Sequence, residues 1–197
     1  MKLNWAERWA VNNPLRIIQQ QAEIRWMVRQ GALWHGAAVL ELGCGRGAGA
    51  RLILREFRPA FFYAMDLDVE MIRKARRFLS PRENGRISMF VGDALRLPYP
   101  AGSLDAVFAF GVLHHLSDWR GGLAEIARVL RPQGIYFLEE IYPSLYQNFL
   151  TKRVLLHPRR DRFQSEDLRS SLKDGGFLLR SSVENPFLGI LGVATRD

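Results

Sequence analysis

One cysteine, little acid and no extended apolar run set the first limits on this chain. Cys44 is its single cysteine, so no internal disulfide forms and no metal site is expected, since one thiol without partners at ligand spacing does not hold a metal ion. The longest apolar stretch, Ala106 to Leu113, is far too short to span a bilayer. The first eight residues carry Lys2, Glu7 and Arg8 where a signal peptide needs an apolar core, so a cytoplasmic protein is expected. No tract is low in complexity, and 197 residues with 48% hydrophobic and 24% charged composition read as a single domain over 1–197. Acidic residues number 20 against 28 Lys and Arg, a formal charge of +8, which draws anionic partners. The local enrichment is confined to Lys152–Arg162, with Arg153, Arg159, Arg160 and Arg162. No nucleic-acid recognition motif or basic stripe interleaved with aromatics accompanies it, so a small-molecule partner is favoured over nucleic acid.

What is present is an alternation. From Ala37 onward short apolar runs take turns with longer segments of helical period, the pattern of strand–helix units stacked into a parallel sheet. Strands are predicted at Ala38–Leu42, Phe61–Met65, Ile87–Val91, Leu104–Ala109 and Ile135–Glu139, each mostly apolar because helices cover both faces of such a sheet. Helices are predicted at Gly47–Arg55, Val69–Leu79 and Trp119–Leu130, the last stopped by Pro132 and Gly134. Ser165-Glu166-Asp167-Leu168 resembles a capped helix start, and strands near Phe177–Val183 and Leu188–Ala194 finish the sheet as a hairpin. The expected class is α/β, a mostly parallel sheet with helices on both faces and a C-terminal antiparallel hairpin. Residues 1–36 form a helical cap on a core of 37–197. The cap holds Trp5, Trp9, Trp26 and Trp34, which either cover one end of the sheet or line a lid over an apolar or aromatic ligand.

The most informative segment is Val39-Leu40-Glu41-Leu42-Gly43-Cys44-Gly45-Arg46-Gly47, an apolar strand that ends in an acid and a glycine-rich turn opening a helix. Without Cβ atoms the turn bends sharply and approaches a ligand closely, while the helix N-terminus offers free N–H groups. Gly43, Gly45 and Ala48 also satisfy the loose dinucleotide fingerprint, and Asp66 follows where a ribose ligand is expected. An NAD(P)-dependent oxidoreductase therefore remains an alternative on this loop alone. Asp68 suits the role of capping the next helix better than Asp66 does.

Further motifs separate the readings. Glu41-Leu42-Gly43-Cys44-Gly45, Met65-Asp66-Leu67, Gly92-Asp93-Ala94, Leu104-Asp105-Ala106-Val107, Gly111-Val112-Leu113-His114-His115-Leu116 and Arg128-Val129-Leu130-Arg131-Pro132-Gln133-Gly134 occur in that order. Together, over roughly Ala37 to Glu139, the chain resembles the class I, Rossmann-like S-adenosylmethionine-dependent methyltransferases, especially the ubiquinone/menaquinone-biosynthesis-like (methyltransferase type 11) branch. The resemblance implies S-adenosylmethionine as cofactor and S-adenosylhomocysteine as product. It implies that Gly43 and Gly45, with Cys44 between them, line the methionine portion. Asp66, followed by Leu67, holds the ribose hydroxyls, Asp93 meets the adenine amino group and Ala94 its ring. Glu41 orders the loop or approaches the amino-acid end, and Phe110 and Gly111 sit beside the cofactor where the methyl is transferred. Leu104 stands where the family usually has Phe. The chain beyond Pro143 is short for the family, so a quinone-precursor substrate is not carried over.

A sulfonium-bound methyl is already electrophilic, so the protein mainly has to hold a nucleophile in line and exclude water. For an acceptor with a proton to lose, a base helps. His115 is the first candidate, with His114 and Glu140 beside it, because all three follow strands at the ligand-binding edge. The histidine pair has an equally simple structural reading, one ring bonded to backbone and the other packed, and adjacent histidines are expected to diverge. Glu139 and Glu140 have one too, as strand-terminal acids paired with surface arginines. The function expected is methyl transfer to a small molecule with an apolar or aromatic part. The alternatives are a non-catalytic adenosyl-binding scaffold, a methyltransferase acting on nucleic acid, and the oxidoreductase.

Overall fold

The computed structural model describes residues 14–31, 33–146 and 161–197. Among these, seven strands form one sheet in the order β3-β2-β1-β4-β5-β7-β6. They are β1 (Ala38–Leu42), β2 (Phe61–Asp66), β3 (Ser88–Val91), β4 (Leu104–Phe110), β5 (Leu130–Ile141), β6 (Phe177–Asn185) and β7 (Gly189–Arg196). The first five pair in parallel, and β7 joins β5 antiparallel with β6 outside it. The α/β sheet with a C-terminal hairpin expected from the sequence is present. The helices are α1 (Pro14–Gln30), α2 (Ala48–Glu56), α3 (Val69–Phe78), α4 (Pro81–Asn84), α5 (Trp119–Val129), α6 (Pro143–Tyr146) and α7 (Ser165–Asp174), with a 3-10 turn at Leu113–His115. No described helix is long and apolar enough to cross a membrane.

Strand alternation divides the core in two. Val39, Ala106, Phe108, Phe137 and Val193 face one side, where Ile24 and Met27 of α1, Ala50 and Ile53 of α2 and Ile72 and Ala75 of α3 meet them. Leu40, Leu42, Val107, Ala109, Tyr136 and Leu138 face the other, against Trp119, Leu123 and Ile126 of α5 and Leu168 and Leu172 of α7. Covering both faces is why β4 is buried along its length except for Phe110 and why its sequence is almost wholly apolar.

Helix starts follow local chemistry. Asp68 caps α3, its side chain accepting from the Glu70 N–H at 3.0 Å, and Ser80 with Glu83 forms a capping box on α4. Gln164, one residue before the expected start, forms the box of α7 with Asp167. One boundary differs from expectation. Pro132 and Gly134 do not stop α5, which ends at Val129, and β5 begins at once at Leu130. The Pro132–Gly134 stretch is instead an irregularity inside β5, where the register slips between Leu104/Leu130 and Ala106/Ile135 and Gln133 takes φ 64. Asp105 ties β4 to its neighbour at the amino edge of the sheet, accepting from the Ala38 N–H at 2.6 Å and pairing with Arg131.

Of the four N-terminal tryptophans, Trp5 and Trp9 lie outside the described residues. Trp26 packs against the α1–α2 side of the core. Trp34 is 53% exposed, ahead of β1 and beneath the Arg131 guanidinium, at the sheet edge opposite the glycine-rich turn. Of the two described rings, Trp26 thus contributes to core packing, while Trp34 lies at the opposite end of β1 from that turn.

The centre of the α1–α2 side is an aromatic stack: Phe108 lies 4.3 Å from Phe137 between ring centroids and 5.0 Å from Phe57, with no exposed surface. Phe108→Ala is expected to cost about 3–5 kcal/mol, read as a lower urea midpoint with an unchanged slope.

Candidate active site

The strand order reverses between β1 and β4, so the chain leaves these adjacent strands in opposite directions and a crevice opens over their carboxyl ends. Its two rims touch. A Cβ on Gly43, where φ is +64, would stand 2.8 Å from the Val112 side chain of the opposite loop.

The first rim is the turn from Gly43 to Gly47. The Cys44 N–H donates to the Met65 carbonyl at 2.9 Å and the Gly47 N–H to the Cys44 carbonyl at 2.9 Å. Gly47, left-handed, caps α2 without a side-chain bond, so the first N–H groups of α2 face the crevice with no side chain to absorb them. Asp66 at the end of β2 clamps the turn. Its Oδ2 accepts from the Gly45 N–H at 2.9 Å and its Oδ1 from the Asp68 N–H at 2.8 Å. The Leu67 N–H bonds the same carboxylate, so a ligand hydroxyl meets the acceptor capacity that three backbone donors leave. Burial raises the Asp66 pKa above the ordinary value, against these backbone donors. The Cys44 thiol is buried and pushed well up, first by burial and then by Glu41 and Asp66, which leaves it a packing group and a poor nucleophile.

Glu41 lies beneath this turn, 2% exposed, and its Oε2 has no hydrogen-bond partner among the described residues. It shares the sheet face of Val39 and points at the start of α2. A Cβ on Gly49 would collide with Glu41 Oε1 and come within 2.8 Å of Gln20 Nε2 from α1, so only glycine lets the carboxylate, the helix and α1 meet. Burial, reinforced by Asp66, pushes the Glu41 carboxyl well above the usual range. A buried acceptor without a described partner calls for a donor.

Asp93 and Ala94 follow β3. The Asp93 side chain is exposed and accepts from the Leu95 N–H at 3.0 Å, which holds the turn. Leu67, 43% exposed, and Leu95, 36% exposed, give this end an apolar surface between Asp66 and Asp93.

The second rim is Phe110 to Leu116. Gly111, at φ 67, donates its N–H to the Glu139 carbonyl at 2.7 Å. The 3-10 turn that follows is organised by Glu140, 1% exposed, whose carboxylate accepts from the N–H groups of Val112, Leu113 and His114 at 3.1, 2.8 and 3.3 Å. His114 Nδ1 lies 2.7 Å from the same carboxylate. Burial pushes Glu140 up to about 8 while the three backbone donors pull it down. Two expectations change here. Among the described residues Glu140 pairs with no arginine, its oxygens being taken by the turn, and the histidines do not diverge: their rings lie 4.3 Å apart, with Tyr146 5.7 Å from His114. His114 is buried and His115 half-buried. Arg162 donates to the carbonyls of His114 and Leu116 at 2.9 and 2.8 Å, closing the turn from outside. Lys152, Arg153, Arg159 and Arg160, the rest of the basic segment, lie outside the described residues.

Sequence reading missed what α1 contributes. Arg16 donates to Glu139 Oε2 at 2.7 Å and to Glu23 at 2.9 and 3.2 Å, and Gln19 donates to Glu23 at 2.7 Å. Arg16, Gln20 and Glu23 recur at helical spacing on one face of α1; that polar stripe on a core-packed helix was the available signal.

Residues 40–138 match the family model described as "Methyltransferase domain". A fatty-acid O-methyltransferase of Mycolicibacterium smegmatis is 40% identical over 109 residues, 55% of this chain and 38% of that protein. The sterol 24-C-methyltransferase erg6 of Aspergillus fumigatus is 32% identical over 126 residues, 62% of this chain and 33% of that protein. The chain thus spans little more than a third of the length of the curated relatives it matches. A SAM-dependent methyltransferase of known structure from Aquifex aeolicus, 18% identical, superposes with a TM-score of 0.73 over 100% of both chains, a likeness of fold.

The orphaned Glu41 gives a test by titration. Its carboxyl is raised above the ordinary 4.5, so the native protein holds a proton that the unfolded chain loses, and this contribution to stability fades as pH rises above the unfolded value. Glu41→Gln should therefore gain on wild type with rising pH, by on the order of 1–2 kcal/mol at about pH 8 in urea unfolding, the gain shrinking toward acid.

Proposed function

The chain belongs to the methyltransferase-domain family, and from that premise we propose that it transfers the methyl group of S-adenosylmethionine to a small molecule with an apolar part. The observation that carries the reading is the set of acids at the ends of three successive strands, Glu41, Asp66 and Asp93, around a glycine turn whose N–H groups are free of side-chain caps. The residues fit the cofactor. Glu41 Oε2, without a partner among the described residues, suits an ammonium donor, the remaining acceptor capacity of Asp66 suits a ribose hydroxyl, and Asp93 with Ala94 and the exposed Leu67 and Leu95 suit a flat base with an exocyclic amine. Gly43, Cys44 and Gly45 present backbone to the amino-acid portion, and Phe110 with Gly111 borders the place of reaction.

When bound, S-adenosylmethionine supplies a methyl already activated by its sulfonium. The protein's own part is positioning. Asp66 holds the glycine turn through the Gly45 N–H, so the rim is ordered before a ligand arrives. Glu140 and Arg162 hold the 3-10 turn from two sides, which keeps the Gly111 backbone at the crevice. His114 and Glu140 act as a buried pair that shapes this turn; His115, its ring tilted against that of His114, is the histidine with exposed surface.

The apolar acceptor is supported by the names of the relatives, which act on a fatty acid and a sterol. We read α1 as part of the same single unit, because Ile24 and Met27 enter its core, and place the reaction in the cytoplasm. Calorimetric titration with S-adenosylmethionine, S-adenosylhomocysteine and NADH tests the reading. Both adenosyl ligands should bind and NADH should not, and Asp66→Ala should weaken both by about tenfold or more, the loss of roughly one charge-assisted hydrogen bond. Failure of both adenosyl ligands to bind would sink the methyltransferase reading; binding of NADH alone would favour the oxidoreductase.

A further inference from the structure

Two adjacent carboxylates, Glu139 and Glu140, end β5, and the alternation of a strand sends them to opposite faces. Glu140 is consumed by the 3-10 turn, with three backbone donors and the His114 ring. Glu139 goes to the side covered by α1. Its register partner on β4 is Phe110, its own carbonyl receives the Gly111 N–H, and its Oε2 lies 3.7 Å from where a Cβ on Gly111 would stand. A carboxylate thus borders the one position of this rim that carries no side chain. Any residue but glycine there would come between Glu139 and the crevice.

Arg16 holds that carboxylate at 2.7 Å and is itself shared with Glu23. One guanidinium between two carboxylates leaves the group net negative when Glu139 is ionised. That sign suits a cationic ligand, within a chain whose formal charge is +8. The charged groups that act on Glu139 are Arg16 and Glu23 from α1 and, from the opposite face of its own strand, Glu140, with His114 Cε1 3.1 Å from the same Cβ point on Gly111. From β7 its register neighbour is the apolar Leu191. Burial pushes Glu139 up to about 7, Arg16 pulls it down, and Glu23 and Glu140 push it up. Its charge therefore changes close to neutral pH, where a general base works best.

Resting on the methyltransferase reading above, we infer that Glu139 is the charged residue of the reaction centre: it faces the sulfonium, takes the proton of an O–H acceptor, and is tuned by Arg16 from α1. In the transfer the acceptor oxygen bonds the methyl carbon, the carbon–sulfur electron pair stays on sulfur as a neutral thioether, and the hydroxyl proton passes to Glu139. Water takes that proton when product leaves. Arg16 is a positioning residue, because it holds the Glu139 carboxylate at 2.7 Å and, as its counter-charge, favours the ionised form.

The test needs no knowledge of the acceptor. Affinities of the whole protein for cationic S-adenosylmethionine and neutral S-adenosylhomocysteine are measured by calorimetry from about pH 6 to about pH 8.5, in wild type, Glu139→Gln and Arg16→Gln. In wild type the ratio in favour of the cation should rise about tenfold through neutral pH. In Glu139→Gln that rise should be lost, while the titrations of Glu41, Asp66 and the ligands themselves remain. In Arg16→Gln it should move to higher pH. Equal pH dependence in wild type and Glu139→Gln overturns the inference and leaves the methyltransferase reading standing; binding of neither ligand removes both. Should Glu139→Gln fail to fold by circular dichroism, Arg16→Gln decides, and an unmoved midpoint overturns the inference.

Discussion

Two parallel strands that sit side by side but send their chains in opposite directions cannot fill the space above their carboxyl ends, and the rest of the site depends on that constraint. The reversal falls between β1 and β4, and both loops that leave there begin with a left-handed glycine, Gly43 and Gly111. Side chains at these positions would close the gap: one would meet Val112, the other would stand in front of His114 and Glu139. The crevice is therefore a property of topology, kept open by glycine. The acids around it are fixed by the strands on which they lie.

The second organising fact is the period of two along a strand. It puts Glu41 on the face shared with Phe108 and Phe137, and Glu139 on the same face one pleat further toward the edge. Glu140 goes to the opposite side. The same repeat that builds the core thus assigns the carboxylates to different work: one orders a turn, while two approach the helix α1. Burial raises all three above the ordinary range, because removing a carboxylate from water disfavours its charge. They differ in what offsets this. Glu140 has backbone donors and an imidazole, Glu139 has Arg16, and Glu41 Oε2 has no partner among the described residues. Buried carboxylates whose charge is only partly offset are destabilising by themselves.

Much of this was legible in the chain. The alternation of apolar runs and helical segments located the strands, and the order of the glycine turn, Asp66, Asp93 and the Gly111–Leu116 stretch located the crevice, since such motifs are local and their spacing is covalent. Asp68 as a helix cap was readable for the same reason. Boundaries suffered where a local signal had two uses. Pro132 and Gly134 mark a break, but the break lies inside β5, because Arg131 and the bulge let the strand start directly after α5. The histidine pair looked catalytic because it follows a strand at the ligand edge; only packing shows His114 tied to Glu140 beneath the turn.

By itself the sequence determined the α/β class, the sheet of parallel strands closed by a hairpin, and the acids and glycines that ring the crevice, all of which rest on periodicity or on residues a few positions apart. Tertiary structure alone decided which acids pair and which are left without a partner among the described residues. Arg16 and Glu139 stand 123 positions apart, and nothing in either neighbourhood marks them for each other. Their contact exists because α1 packs on the same sheet face to which the pleat sends Glu139, and a pairing made by two independent elements meeting in space leaves no local trace in the chain.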